Sequence, residues 1–234
     1  MSAERYILGV GAAWLAREGA TLTVRGTVPE ILGSVESVGF RSGLFSVRGG
    51  DEAGATLAQH LTTARIDDLS STFLDRATPV ENDDGNRDPA FGLFEFALPK
   101  QLRRRSFRDA AARAAAVVVD CSLPEAAFSR ALDATQAPVI GVETGVGDPV
   151  RLLMHANRFA ALVFAEATAR QVLDVRPRGS LGALRGALQE RQIACPLLAV
   201  NQAVSYRLNG AEATLLPGGS VAEHAVRVLL EMLR

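Results

Sequence analysis

The chain has 234 residues, 48% hydrophobic and 22% charged, with 25 Lys and Arg against 26 Asp and Glu for a formal net charge of -1. That length supports one substantial core, so one domain over residues 1–234 is expected. The balanced charge excludes the concentrated basic surface that nucleic acid or an anionic membrane would need, so neither is expected as a partner.

Residues 6–10 form a short apolar run closed by Gly11 and predict a buried strand, with 22–24 a second. Residues 43–47 read as a strand and 51–63 as the helix after it, Asp51 standing as its cap. Between 72 and 98 two strand-like stretches flank residues 81–86, where Asp84-Gly85 favours a turn, so a hairpin or a surface loop is expected. From Lys100 the rhythm is regular. Helix 103–115, strand 117–119, helix 125–134, strand 139–142, helix 149–155 and strand 162–164 are followed by helices 168–173 and 181–191. Strands at 197–200, 205–208 and 213–216 precede a final amphipathic helix at 220–233. Strands alternating with helices force crossover connections and predict an α/β fold, a mostly parallel central sheet covered on both faces.

Cys121 and Cys195 lie far apart without metal-ligand spacing and read as small buried hydrophobes, consistent with a reducing compartment. The N-terminus lacks the pattern of a secretory signal, and no apolar run approaches the ~18 residues of a membrane span, so a cytoplasmic location is expected.

The turn Gly9-Val10-Gly11-Ala12-Ala13-Trp14 follows a strand, but Trp14 stands where a dinucleotide fingerprint needs its third glycine. The only lysine, Lys100, is not in a phosphate-binding loop, and residues 81–88 lack the ligand spacing of a calcium loop. Arg103-Arg104-Arg105 reads as a solvated helix face, and His60, His155 and His224 as surface or partly buried helix positions. Asp120, ending a strand, is a ligand-binding candidate or a cap for the next helix. Gly218-Gly219-Ser220, just before the last helix, suits an anion, because glycines let it approach backbone N–H groups at a helix N-terminus; the alternative is a turn with Ser220 as N-cap.

These residues resemble the PfkB, or ribokinase-like, family of sugar and nucleoside kinases, nearest its pseudouridine-kinase-like branch. The segments 8–19, 40–66, Val117-Val118-Val119-Asp120-Cys121-Ser122-Leu123-Pro124 and 139–173 are similar to its successive strand and helix units. The resemblance implies a three-layer ribokinase-like fold with a reduced lid, ATP and Mg2+ as cofactors, a nucleotide or sugar ligand, and apolar surface compatible with a homodimer. The departures fall on the chemistry. Ala16 stands where the family has a substrate-binding aspartate, and the segment between Gly26 and Phe40 is too short for the family's substrate loop and helix. Glu166-Ala167-Thr168-Ala169 replaces the Asn-x-x-Glu motif, and Ala199-Val200-Asn201 replaces the Thr-x-Gly nucleotide loop. Gly218-Gly219-Ser220-Val221 replaces the Gly-Ala-Gly-Asp motif, whose aspartate is the catalytic base. A phosphoryl acceptor needs a group to orient its hydroxyl and take its proton, and Val221 can do neither.

The expectation is therefore a degenerate kinase relative acting by binding or regulation, with no catalytic residue and no metal ligand assigned. Gly218, Gly219, Ser220 and Asn201 are its nucleotide or anion candidates, and Asp120 and Glu166 further candidates. One alternative is a working kinase with a rearranged site, in which Glu166 or Glu223 and Asp120 would have to converge on the anion turn. The other is a structural or interaction protein without ligand.

Overall fold

Long apolar runs without polar alternation are what strands buried on both faces require, and they set the centre of this molecule. The structure is a computed structural model and describes residues 5–210 and 212–234. Strands β1 (Tyr6–Val10), β2 (Trp14–Glu18) and β3 (Thr21–Arg25) lead to helix α1 (Thr27–Ser37), and β4 (Arg41–Phe45) and β5 (Val47–Gly49) to α2 (Glu52–Thr63). Then come β6 (Ile66–Asp68), β7 (Ser71–Phe73), β8 (Val80–Glu81), α3 (Gly92–Gln101) and α4 (Arg105–Arg113). The second half runs β9 (Ala116–Asp120), α5 (Glu125–Asp133), β10 (Val139–Val142), α6 (Val150–Met154), β11 (Ala161–Ala165), α7 (Glu166–Val172) and α8 (Leu181–Glu190). It closes with β12 (Leu197–Val200), β13 (Val204–Asn209), β14 (Glu212–Pro217) and α9 (Val221–Met232).

Among the described residues the main sheet has nine strands in the order β14-β13-β12-β11-β10-β9-β1-β4-β6. From β12 to β6 every pairing is parallel, while β13 and β14 form an antiparallel hairpin at one edge. Alternate residues of each strand feed opposite faces. Val117 and Val119 pack with Leu98, Phe107, Phe128 and Leu184 from α3, α4, α5 and α8, whereas Ala116 and Val118 pack with Ile31, Leu57 and Val228 from α1, α2 and α9. Gly9 permits α1 to lie against β1, since a Cβ there would come within 2.4 Å of Val28 Cγ1. A smaller sheet, β3-β2-β8, stands beyond the main one, with β2 antiparallel to β3 and parallel to β8. No helix among the described residues is long and apolar enough to cross a membrane.

Helix α1 was not anticipated, although Val28, Ile31, Leu32 and Val35 follow the 3.6-residue period; Pro29 sits in the first turn, where a missing N–H costs nothing. Strand β2 was likewise read as part of a turn. The stretch after residue 88, expected to be strand-like, is the helix α3, which buries Leu93, Phe94, Ala97 and Leu98. Phe96, on the same helix, remains half exposed. The expected turn lies between β8 and α3: Gly85 N donates to Asn82 O at 2.8 Å, with Gly85 at φ 76°. Asp51 caps α2 through Gly54 N at 2.9 Å, and its other oxygen takes Thr78 N at 2.9 Å.

Candidate functional site

Parallel strands end at a common edge, and here the residues at or just beyond the ends of β9, β10, β11 and β12 are Asp120, Glu143, Glu166 and Asn201. Ligands of open α/β sheets bind outside such strand ends.

Glu166 opens α7, and Arg170 one helical turn later grips it, Nε and Nη2 reaching Oε1 at 2.8 and 2.6 Å. Arg170 is itself buried and also donates to Gly179 O at 2.8 Å. The other oxygen of Glu166 accepts from Asn201 Nδ2 at 3.0 Å. Burial pulls the Glu166 carboxyl upward, but the Asn201 hydrogen bond and the Arg170 guanidinium outweigh it and hold it below the usual glutamate range. These residues line a cleft of ≈ 600 Å³ together with Gln171, Val175 and Pro177.

Asn201 joins this cleft to the last helix. Its backbone carbonyl accepts from Gly219 N at 3.1 Å, so Gly218-Gly219-Ser220 is tied to the end of β12. A Cβ on Gly218 would stand 1.9 Å from Gln202 O, which restricts the position to glycine. Ser220 Oγ accepts from Glu223 N at 3.1 Å while Glu223 Oε2 accepts from Ser220 N at 2.8 Å, a reciprocal capping box on α9. The chain's own carboxylate therefore rests on the N–H groups that an anion would use. His224 is fully buried, a correction to the sequence expectation of a surface or partly buried position, because α9 turns this face into the sheet. Burial first, and Arg227 second, push its imidazole pKa down, so the ring is neutral at physiological pH. Its Nε2 would lie 3.5 Å from a Cβ on Gly219.

Asp120 is elsewhere. It is separated from β12 by β10 and β11, about 14 Å at the ~4.8 Å spacing of neighbouring strands. Fully buried, it accepts from Ala12 N at 3.0 Å, from Ser122 N at 2.9 Å and from Ser122 Oγ. Burial pushes its carboxyl up to about 7 against those three hydrogen bonds. Helix α5 begins after Pro124 without a side-chain cap, so Asp120 clips the β1–β2 turn rather than capping a helix. Gly11 allows the clip, since a Cβ there would fall 2.2 Å from Asp120 Oδ2.

Among the candidates, Glu166, Asn201, Gly218, Gly219 and Ser220 thus converge, and Asp120 does not. Sequence reasoning missed Arg170, although its i, i+4 spacing from Glu166 was a readable signal, and Glu143, half-buried with its carboxyl pKa raised by burial. Among the described residues no group of three or more His, Cys, Asp or Glu could hold a metal ion. The one carboxylate lining the ≈ 600 Å³ cleft is already neutralised by Arg170, so the residues present do not fit a protein-held Mg2+.

No protein-family model and no curated protein matches the sequence. Solved structures do. Arabidopsis thaliana ribokinase, determined with ribose and ATP, superposes with a TM-score of 0.75 at 15% identity, over 99% of this chain and 89% of that one. The fold is ribokinase-like. A carbohydrate kinase from Agrobacterium tumefaciens matches with a TM-score of 0.72 at 23% identity, over 91% of this chain and 75% of its own. A PfkB protein from Polaromonas sp. JS666 gives 0.73 at 12%, over 97% and 88%. The ribokinase-like architecture, a mostly parallel sheet between helix layers, agrees with the sequence expectation.

Proposed function

We propose that this protein is a PfkB-type kinase relative that binds a nucleotide or a similar phosphate-bearing anion at the joint of Asn201, Glu166 and the α9 N-terminus, without transferring a phosphoryl group. The observation carrying this reading is the state of α9. Its first residue is Val221, and the nearest carboxylate, Glu223, is turned back onto Ser220 N as half of a capping box. Phosphoryl transfer needs a group that orients the attacking hydroxyl and accepts its proton. A valine offers neither, and a carboxylate locked on the helix end is not free to do so.

Binding is supported by different features. The glycine pair leads into a helix N-terminus, whose partial positive charge favours an anion, and a phosphate would take over the Ser220 N–H that Glu223 now occupies. Asn201 connects that turn to the cleft, giving a triphosphate and a ring system adjoining places. The ATP of the ribokinase complex is the first ligand to try.

Isothermal titration with ATP, with and without Mg2+, tests this reading. Micromolar binding that Gly219→Leu abolishes is the expected result, because any side chain there meets Glu223 Oε2 at 2.5 Å and blocks the turn. No heat at millimolar ATP overturns it and leaves a partner-binding scaffold.

A further inference from the structure

Arg87 lies on the turn that follows β8 and reaches across to the main sheet. Its guanidinium carbon stands 5.7 Å from the Trp14 ring centroid and 5.3 Å from that of Phe91, both within cation–π range. The two rings meet edge to face with centroids 5.7 Å apart. Glu81 Oε2 accepts from Trp14 Nε1 at 3.3 Å and from Arg87 Nε at 3.4 Å. Arg87 Nη1 donates to the carbonyl of Gly145, in the loop after β10. Two aromatic faces, one carboxylate and one carbonyl therefore surround one guanidinium.

We propose that Trp14, Phe91, Glu81 and the Gly145 carbonyl form a recognition cage for a planar cationic group, with Arg87 as its resident occupant. In that place Arg87 latches the small sheet over the carboxyl edge of the main sheet until a small ligand bearing a guanidinium or amidinium takes over the cage.

The chemistry selects a planar cation over an ammonium. A flat delocalised cation sits within cation–π range of both rings while its fork directs separate N–H groups at the carboxylate and the carbonyl, a divided geometry that a compact ammonium does not match. The occupant is exchangeable as well. The Arg87 side chain is 38% exposed and Glu81 27%, on a turn whose residues 82–86 face solvent, so release disturbs no core packing. The cage stands apart from the α9 turn, so its failure and that of the ATP site are read separately.

Trp14 is the only tryptophan, so its fluorescence reports the cage directly. Arg87→Ala is expected to raise acrylamide quenching of Trp14 about threefold, as loss of a stacked cation uncovers the ring. N-methylguanidinium chloride at millimolar concentration should restore the low quenching saturably, methylammonium chloride at equal ionic strength should not, and adding Glu81→Gln should abolish the rescue. An Arg87→Ala protein with native melting behaviour overturns the proposal if Trp14 stays as shielded as before, or if methylguanidinium does nothing, or if methylammonium rescues equally. Should that variant not fold, Arg87→Lys keeps the charge without the planar fork: increased quenching reversed by methylguanidinium supports the cage, and wild-type quenching overturns it.

Discussion

At the scale of single residues, burial decides what each carboxylate does. Asp120 is fully buried and its pKa is raised from 3.8 to about 7, so the folded protein holds a proton that the unfolded chain releases. Its contribution is fully present below the unfolded value and is lost as pH rises through about 7, so stability should fall across that window. Urea unfolding at pH 5 and pH 8 should show this slope in the wild type and a flatter one in Asp120→Ala. That variant should also lose about 2–4 kcal/mol by stranding the Ala12 and Ser122 donors. Glu166 has the opposite sign: its depressed pKa gives stability above the ordinary glutamate value, lost as pH falls through the folded one. Arg170→Met should cost about 1–2 kcal/mol, because the pair is part-buried and Glu166 is left with only its Asn201 hydrogen bond, and the pH dependence from Glu166 should weaken with it.

At the scale of elements, α9 is held by its first turn. Ser220→Ala removes the cap and should lower stability by about 1 kcal/mol, measured by thermal unfolding. Glu223→Gln keeps a side chain able to accept from Ser220 N but takes away the negative charge that competes with a phosphate. ATP affinity by calorimetry should therefore rise severalfold while the melting temperature changes little, and unchanged affinity would dissociate the α9 turn from anion binding. Periodicity made α9 and the strands from β9 onward legible. The region from 72 to 98, expected as two strand-like stretches about a turn, was harder, because only packing of Leu93, Ala97 and Leu98 against the sheet fixes α3 as a helix.

At the scale of the whole molecule, one face of the sheet carries α1, α2 and α9 and the other α3, α4, α5 and α8, while the carboxyl edge gathers the polar residues. The proposed function predicts ATP binding without turnover: no ADP should form above background with sugars or nucleosides in a coupled assay. Under that proposal Val221→Asp alone should not establish turnover, since the resemblance to PfkB kinases also implies a substrate-binding aspartate where Ala16 stands on β2.

The sequence by itself determined the alternation of strand and helix, the parallel centre, the caps Asp51 and Ser220, and the valine at the start of the last helix. Each of these is written in residues close along the chain, where period and cap chemistry act. Tertiary structure alone decided that Asn201 ties Glu166 to Gly219, that Asp120 is spent on the β1–β2 turn, that His224 points inward, and that Arg87 lies between Trp14 and Phe91. Those meetings follow from strand order and crossover packing, which bring together residues tens of positions apart and leave no trace in local periodicity.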